Sequence, residues 1–277
     1  MDLKKSPEAL SRHLKKIILT AIAFFIAVPL FANGQQPAQK DEIILEKFSN
    51  DTEKSGLPKG WKPFEFPKKP KHTEYTIQKE GDNYFLKAES NEAASAVYKE
   101  VKWDLKEFPI LKWRWKVEGV LKKGDERKKE GDDYAARVYV VFEYEPEKTP
   151  SLEKIKYRFL ETVYGMKPPG NAINYIWANK LPKDETVNNP FTEKVMMIAI
   201  ESGTENAGKW IDEERNIYDD YKKLFRDEPP KVTGIILMTD TDNTKEKVTA
   251  YYDDISFRKH PAARAESVSI SSPKNLY

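Results

Sequence analysis

Apolar and polar residues alternate along two stretches in the middle of the chain. The stretch Leu111–Val117 reads LKWRWKV, which places four apolar side chains on one face and three basic ones, including Arg114, on the other. The stretch Tyr134–Tyr144 (YAARVYVVFEY) alternates in the same way and places Arg137 on its less apolar face. Because successive side chains of a strand point to opposite faces, this period of two predicts half-buried β-strands.

Further strands are predicted from short runs rich in β-branched and aromatic residues that are bounded by turn formers. These runs are Ile43–Phe48, Thr73–Gln78, Tyr84–Ala88, Ala94–Val101, Ile173–Ala178, Val195–Glu201, Thr233–Thr239 and Val248–Phe257. The segment Glu80–Asn83 (EGDN) predicts a hairpin turn, because Gly and Asx residues tolerate positive φ. Many strands and few helices predict a mainly β protein, an antiparallel β-sandwich with one or two peripheral helices.

Two stretches have helical rather than alternating periodicity. Ser151–Thr162 is the weaker candidate, and Asp212–Phe225 is the stronger, because its apolar residues fall on one face at helical spacing. Along the second stretch Asp219 lies four residues from both Arg215 and Lys223. We interpret these pairs as exposed ion pairs, which stabilise a helix by only a few tenths of a kcal/mol each.

The N-terminal segment has the composition of a secretory signal peptide. Five basic residues precede an apolar run over 17–32, and the small residues Ala32-Asn33-Gly34 follow. The sequence predicts a signal peptide over 1–34, cleaved after Gly34 or after Ala32, and an exported protein located in the periplasm or outside a bacterial cell. An uncleaved N-terminal anchor is the alternative. The predicted organisation continues with a polar lead-in (35–40), a single sandwich domain (41–258) and a disordered tail (259–277).

Charge and cysteine content narrow the possible functions. The leader holds 5 of the 47 basic and 2 of the 45 acidic residues, which leaves 42 and 43 and a net charge of −1. A chain without excess positive charge lacks the main driving force for nucleic-acid binding. The absence of cysteine excludes disulfides, thiol catalysis and cysteine-ligated zinc. We therefore expect no nucleic-acid partner and no membrane association after cleavage, and the sequence leaves the oligomeric state open.

The stretch Leu237–Phe257 (LMTDTDNTKEKVTAYYDDISF) is dense in oxygen-bearing side chains and permits three interpretations. An EF-hand is excluded, because Lys245 replaces the glycine at the sixth loop position. A calcium site of another kind is the first interpretation. Glu46 and Asp254, on the predicted first and last strands, are its candidate ligands. The cofactor prediction is accordingly none, or one structural calcium.

Catalysis is the second interpretation, and a simple hairpin is the third. Glycosidases use two carboxylates across one bond, and Asp132, Asp133, Asp240 and Asp242 are the candidate acid and base groups. In the hairpin interpretation, the same side chains only hydrogen-bond local amides between two paired strands. A Ser-His-Asp triad would depend on His72, and the residues around His72 match no triad motif. A zinc site with three histidine ligands is excluded, because the chain after the leader holds two histidines, His72 and His260.

A ligand-binding face is predicted from polar and aromatic residues that could share one side of a sheet. Its members are Arg114, Arg137, Tyr139, Tyr175, Trp177, Asp240, Asp242 and Asn243. Flat rings stack on the C–H faces of sugars, and arginine can bind an anionic group with two hydrogen bonds. Trp113 and Trp115 are predicted to lie in the core, because they occupy the apolar side of their strand.

Several blocks of the chain together resemble a bacterial family called domain of unknown function 3047. The blocks are GLPKGW (Gly56–Trp61), WRWKVEG (Trp113–Gly119), GDDYAARVYVVF (Gly131–Phe142), NYIWANK (Asn174–Lys180), WIDEERNIYDDY (Trp210–Tyr221), LMTDTDNT (Leu237–Thr244) and AYYDDISF (Ala250–Phe257). The resemblance implies an exported protein with a sandwich-like domain and implies no reaction. The fold is also similar to jelly-roll, galactose-binding-like and concanavalin-like sandwiches of sugar-binding modules, a likeness that does not by itself give function.

The sequence therefore favours non-catalytic binding of a glycan or another cell-envelope ligand, with a polysaccharide or envelope component as partner. A carbohydrate-active enzyme that uses the aspartates is the first alternative. An envelope scaffold that contacts proteins through its helix and tail is the second.

Overall fold

The computed structural model describes residues 41–48, 56–66, 69–149, 151, 154 and 170–260. By its internal contacts the chain divides into two units, Met1–Lys40 and Asp41–Tyr277. The predicted signal peptide and lead-in, most of the predicted helix Ser151–Thr162 and all but the first two residues of the predicted tail lie outside the described residues. Within the described part of the chain, no helix has the length and apolar character needed to cross a membrane.

The described residues form thirteen strands, arranged in two sheets, and one α-helix. In chain order the elements are β1 (Glu42–Glu46), β2 (Trp61–Glu65), β3 (Glu74–Glu80), β4 (Asn83–Asn91), β5 (Ala94–Trp103), β6 (Ile110–Val117), β7 (Arg137–Phe142), β8 (Ala172–Ala178), β9 (Thr186–Asn189), β10 (Thr192–Ser202), β11 (Ile211–Asn216), α1 (Ile217–Phe225), β12 (Val232–Asp240) and β13 (Lys247–Arg258).

Sheet I has the spatial order β11-β6-β13-β4-β3, with β1 paired to the end of β13. Sheet II has the order β2-β5-β12-β7-β8-β10-β9. All pairs are antiparallel except β8 with β10, which is parallel. The predicted mainly β sandwich is thereby confirmed, and the chain passes repeatedly from one sheet to the other.

The two alternating stretches are strands, as predicted. β6 covers the first, and β7 covers the middle of the second. Three strands were not predicted: β2, β9 and β11. The predicted turn at Glu80–Asn83 is the two-residue loop between β3 and β4, where Gly81 has a φ of 59° that glycine adopts without strain.

The predicted helix Asp212–Phe225 is wrong in its first half. Residues Ile211–Asn216 form β11, which pairs along its whole length with β6 at the edge of sheet I. The helix begins only at Ile217, because the Asn216 side chain caps it by accepting from the N–H of Asp219. The helical spacing of the apolar residues did not reveal that the residues before this cap form an edge strand of sheet I.

The predicted surface ion pair between Arg215 and Asp219 is also wrong. Arg215 donates instead to both oxygens of Asp220, at 3.0 and 2.6 Å, and Asp220 also accepts from the hydroxyl of Tyr175 at 2.8 Å. Because Tyr175 belongs to sheet II and Arg215 to sheet I, this carboxylate ties the start of α1 to both sheets. The pair is partly buried, because Asp220 is 9% exposed and Arg215 is 26% exposed.

Aromatic rings fill the space between the two sheets. Trp113 of sheet I stacks on Tyr175 of sheet II, with ring centroids 5.3 Å apart, and Trp115 packs on Trp177 at 5.7 Å. The predicted core position of both β6 tryptophans is confirmed. Tyr175 and Trp177 were predicted to face a ligand, and this is wrong: both are 0% exposed, so neither ring is free to stack on a sugar.

One acid, Glu213 on β11, lies at the edge of this aromatic layer. It accepts a hydrogen bond from Nε1 of Trp115 at 3.1 Å and is 9% exposed. Burial raises the pKa of Glu213 to about 7, and the nearby Glu201 contributes to the rise. The folded protein therefore keeps a proton that the unfolded chain releases near pH 4.5.

This retained proton predicts a pH-dependent stability. Between about pH 4.5 and 7 the folded state binds more protons than the unfolded state, so the free energy of unfolding falls as pH rises, by up to about 3 kcal/mol. Urea unfolding at several pH values measures this slope. Glu213→Gln should flatten it, whereas Glu214→Gln, at the exposed neighbour, should not. An unchanged slope in Glu213→Gln would contradict the assignment.

Candidate functional site

The loop between β12 and β13 crosses from sheet II to sheet I. The two strands are in different sheets, so the hairpin interpretation of this stretch is wrong. The loop is fixed by backbone hydrogen bonds from Thr241 N to the carbonyl of Ala93 (2.9 Å) and from Lys245 N to that of Thr241 (3.0 Å). Its carboxylates, Asp240 and Asp242, consequently lie at one end of the sandwich beside the loop that precedes β7.

A buried ion pair joins the start of β7 to the end of β12. Arg137 Nε donates to Asp240 Oδ1 at 2.9 Å, and its Nη2 donates to Asp240 Oδ2 and to the carbonyl of Asp132 (2.7 Å). Arg137 and Asp240 are each 2% exposed. Two parallel N–H···O bonds of this kind fix both the distance and the plane of the two groups.

Tyrosines surround this ion pair. The hydroxyl of Tyr139 accepts from Arg137 Nη1 at 3.0 Å, and the guanidinium lies over the ring of Tyr134 at 4.1 Å. Burial raises the pKa of Tyr139 to about 12, which keeps the phenol protonated. Burial also opposes the charge on Arg137, but the facing Asp240 carboxylate raises the pKa of Arg137 above its usual value. The guanidinium therefore remains charged, and Asp240, Tyr139 and the carbonyl of Asp132 accept its hydrogen bonds.

Asp132, Asp133 and Asp242 complete an acidic cluster around the ion pair. Asp132 Oδ1 is 3.7 Å from Arg137 Nη1, Asp133 Oδ2 accepts from the N–H of Thr244 at 2.6 Å, and Asp242 pairs with Lys69. One carboxylate oxygen each from Asp133, Asp240 and Asp242 lie within 4.8 Å of one another. The sequence thus identified carboxylates that meet in space, together with Arg137.

The burial of these carboxylates argues against the catalytic interpretation. Asp133 is 0% exposed, and Asp132 and Asp240 are also buried. A polymer substrate has to place its scissile bond between the acid and the base, and these three carboxylates are enclosed around Arg137, which leaves Asp242 as the one of the four that lines an open hollow. Asn243 lies above them, and its amide donates to the carbonyl of Lys129 at 2.9 Å.

Asn243 lies between two open hollows at this end of the sandwich. Their volumes are about 590 and 430 Å³. Both are lined largely by charged side chains, among them Lys69, Lys71, Lys129, Asp242 and Lys245 in the larger one. Pockets that hold small organic ligands are mostly apolar, so these hollows do not have that character.

Arg114 does not join this cluster, which corrects the prediction of a single ligand-binding face. It lies on β6 between two core tryptophans and therefore points away from the core on the outer side of sheet I. Arg137 lies between core residues of β7 and points outward from sheet II. The two guanidinium groups are consequently on opposite outer faces of the sandwich.

The outer face of sheet I carries aromatic and basic side chains in one cross-strand row. Lys116 pairs in register with Tyr251, which pairs in turn with Lys87, and Trp210 lies next to Lys116 at the start of β11. Lys116 Nζ is 4.2 Å from the ring centroid of Tyr251 and 5.4 Å from that of Trp210. We call Trp210, Tyr251 and Phe85, with Arg114 and Lys116, the aromatic platform.

The rings of the aromatic platform contact one another edge to face. Phe85 lies 5.4 Å from Trp210 and 5.6 Å from Tyr251, and the guanidinium of Arg114 lies over the Trp210 ring at 4.5 Å. Phe85 is buried beneath, whereas Trp210 and Tyr251 are partly exposed. The platform thus offers two partly open rings with cationic groups between them.

Polar groups border the platform on its β13 side. Asp253 accepts from the amide of Asn83 at 2.8 Å and lies 3.8 Å from Arg114 Nε. Burial raises the pKa of Asp253, and the Asn83 hydrogen bond opposes the rise. Asp254, at a bulge in β13 with a φ of 48°, lies 3.8 Å from Arg114 Nη1. Asp253 is buried, so the acceptor available to a ligand next to the rings is Asp254, whose side chain is 45% exposed.

One of the two predicted calcium ligands, Glu46, is occupied by other partners. Glu46 already accepts from the N–H groups of Lys47 and Phe48, from Trp61 Nε1 (2.8 Å) and from Lys99 Nζ (3.0 Å). Such a carboxylate is neutralised and has its lone pairs occupied. Among the described residues, the acids close enough to share an ion are Asp133, Asp240 and Asp242 instead.

Sequence reasoning missed most of the aromatic platform. The outward position of Tyr251 could have been predicted from the sequence, because alternation along β13 places Tyr251 and Asp253 opposite the core residues Tyr252 and Ala250. Trp210 was hidden by the incorrect helix assignment, which removed the adjacent strand from sheet I. A strand assignment for residues 211–216 would have placed Trp210 at the sheet edge next to Lys116.

The fold and this face together define a two-sheet β-sandwich with an aromatic and charged outer surface. The chain belongs to the family described as protein of unknown function (DUF3047), whose model matches residues 59–256. The resemblance seen in the sequence is thereby confirmed. No curated protein matches the chain.

Similar solved structures are β-rich domains of low sequence identity. The family 11 carbohydrate-binding module of cellulosomal cellulase Lic26A-Cel5E of Clostridium thermocellum is 9% identical, with a TM-score of 0.41 over 80% of this chain and 97% of that chain. The K1 cleaved adhesin domain of Lys-gingipain from Porphyromonas gingivalis W83 is 10% identical, with a TM-score of 0.35 over 80% and 99%. Values this low carry no argument about function.

The buried ion pair predicts a large and non-additive effect on stability. Arg137→Met or Asp240→Leu alone leaves one buried charge without its partner and should lower the free energy of unfolding by about 3–5 kcal/mol. The double variant should lose less than the sum of the two, because no unpaired charge remains. Urea unfolding of the four proteins measures the coupling. Additive losses would show that the two groups do not depend on each other.

Proposed function

We propose that this protein binds a glycan, without catalysing a reaction, on the aromatic platform of sheet I. The observation that carries the proposal is the row in which Lys116 lies between the partly exposed rings of Trp210 and Tyr251. Sugar rings present apolar C–H faces and polar edges, so a binding surface for them needs flat rings next to hydrogen-bonding groups. The platform supplies both within neighbouring strands.

The dimensions of the platform suit a chain rather than a single sugar. The row from Trp210 to Lys87 crosses four neighbouring strands of sheet I, which corresponds to about 15 Å at the usual spacing of about 4.8 Å between strands. The surface is supported from below by packed tryptophans and is therefore rigid. A rigid surface loses little conformational entropy when a ligand binds.

The hydrogen-bonding groups around the rings have both signs of charge. Arg114 and Lys116 supply donors, and the exposed carboxylate of Asp254 supplies acceptors, whereas Asp253 is buried and holds Asn83 and Arg114 in place. This mixture fits hydroxyl-rich sugars, which both donate and accept. It also accommodates a sugar carboxylate at Arg114, so neutral and acidic glycans belong in the same binding screen.

Export to the cell envelope is part of this proposal. Its support is the basic and apolar leader over 1–34 and the lack of cysteine in the chain. An envelope location would place the platform among polysaccharides. Fractionation of cells that produce the full chain, with N-terminal sequencing of the mature protein, tests cleavage near Gly34.

A glycan array followed by affinity electrophoresis tests binding. The full chain should be retained by one class of envelope polysaccharide. Trp210→Ala and Tyr251→Ala should each weaken that binding about tenfold or more, since central aromatic contacts contribute most of the free energy in such interfaces.

The matched control is Phe191→Ala, which removes an exposed ring between β9 and β10 on sheet II and should leave binding unchanged. The unfolding midpoint of each variant shows that the fold is intact. Two results would contradict the proposal: a folded protein that no glycan retains, or full binding by both platform variants.

A further inference from the structure

The acidic cluster at the end of sheet II contains more negative charge than its partners neutralise. Four carboxylates meet there, and in the described part of the chain their direct ion pairs come from two cations, Arg137 and Lys69. An excess of two negative charges in a buried place is costly without a further positive charge. This cluster lies away from the aromatic platform, and the proposed glycan binding does not use it.

Two carboxylate oxygens of this cluster, Oδ1 of Asp132 and Oδ1 of Asp133, make no hydrogen bond within the described structure, and the one of Asp132 faces Arg137 at 3.7 Å. Asp133 is 0% exposed, and its Oδ1 makes no hydrogen bond within the described structure, whereas its Oδ2 accepts from Thr244 N. The Thr244 hydroxyl faces the same carboxylate and is buried, but it makes no hydrogen bond of normal geometry. Buried carboxylate oxygens are nearly always hydrogen-bonded or bound to metal, so the unsatisfied oxygens of Asp133 and Thr244 indicate a missing ligand.

We propose that Asp133, Asp240 and Asp242 bind one calcium ion, with Thr244 beside it. All the donor atoms are oxygens, which hard cations prefer. Oxygens that lie within 4.8 Å of one another can all reach one Ca²⁺ ion at the usual distance of about 2.3–2.6 Å. Magnesium is the weaker fit, because it keeps several of its waters and is seldom held by protein ligands alone. The ion would neutralise the two excess charges.

The other partners of the three carboxylates are compatible with an ion. Asp240 binds Arg137 through both oxygens, but each carboxylate oxygen has two lone pairs, and one remains on Oδ2. Lys69 contacts Asp242, and its side chain is 40% exposed. Lys69 therefore competes with the ion at Asp242 and is able to move into solvent when calcium binds.

The proposed site has a structural consequence. Asp133 belongs to the loop before β7, and Asp240 and Asp242 belong to the connection between the sheets. An ion held by all three links these two loops, so calcium should raise the unfolding temperature by an amount that grows with the logarithm of its concentration above the dissociation constant.

Isothermal titration of the chelator-treated full chain with CaCl₂ and with MgCl₂ tests the proposal. We expect one calcium per chain, with a dissociation constant between about 10⁻⁶ and 10⁻³ M, and weaker binding of magnesium. Asp133→Asn and Asp242→Asn should each weaken calcium binding about tenfold or more. Lys69→Met should strengthen it, because the competing ammonium is removed.

The matched control is Glu130→Gln, which removes one negative charge from the rim of both hollows without touching the three ligands. This variant should bind calcium with an affinity within about twofold of that of the unmodified protein, since exposed charges interact weakly across solvent. Folded variants are recognised by a cooperative unfolding transition.

The proposal is overturned if the folded protein shows no saturable heat up to about 10 mM calcium, beyond the weakest protein sites. It is also overturned if Glu130→Gln weakens binding as much as Asp133→Asn does, because binding would then reflect general attraction to the rim. Failure of this site leaves glycan binding at the platform unaffected, and the reverse also holds.

Discussion

The structure depends on aromatic packing between the two sheets. Trp113 and Trp115 of β6 reach across the sandwich to Tyr175 and Trp177 of β8, and the four rings form a continuous layer. Once these side chains face inward, the alternation of a strand forces Arg114 and its neighbours outward. The outer face that we assign to ligand binding is therefore a geometric consequence of how the core is packed.

The connections between the sheets create a charge-dense region at one end of the sandwich. Because β12 and β13 belong to different sheets, the loop between them spans the sandwich rather than closing a hairpin. Arg137 and Asp240 hold the start of this loop, and the carboxylates of Asp133 and Asp242 gather around them. The face that we propose for ligand binding and the charge-dense end thus occupy separate parts of the sandwich.

Local alternation of apolar and polar residues predicted much of the fold, but it did not show for every strand which side chains point into the core. It placed Trp113 inward and Arg114 outward correctly, because β6 has a polar side. It failed for Tyr175 and Trp177, because all seven residues of β8 are buried and no polar side marks the outer face. The meeting of Arg137 with Asp240 was expected from the alternation that places Arg137 on the less apolar side of its strand and from the density of oxygen-bearing side chains after β12. The separation of Arg114 from them depends on which sheet each strand joins, and that is a long-range property.

The position of the ligand is the central claim, and the indole N–H signals of the six tryptophans measure it most directly. In two-dimensional NMR spectra of the nitrogen-labelled protein, titration with an oligosaccharide that the protein binds should shift the indole N–H signal of Trp210. The signals of the buried residues Trp113, Trp115 and Trp177 should stay in place. A saturable titration that leaves Trp210 unchanged and shifts amides near Asn243 would place the ligand at the charged end of the sandwich and contradict the account.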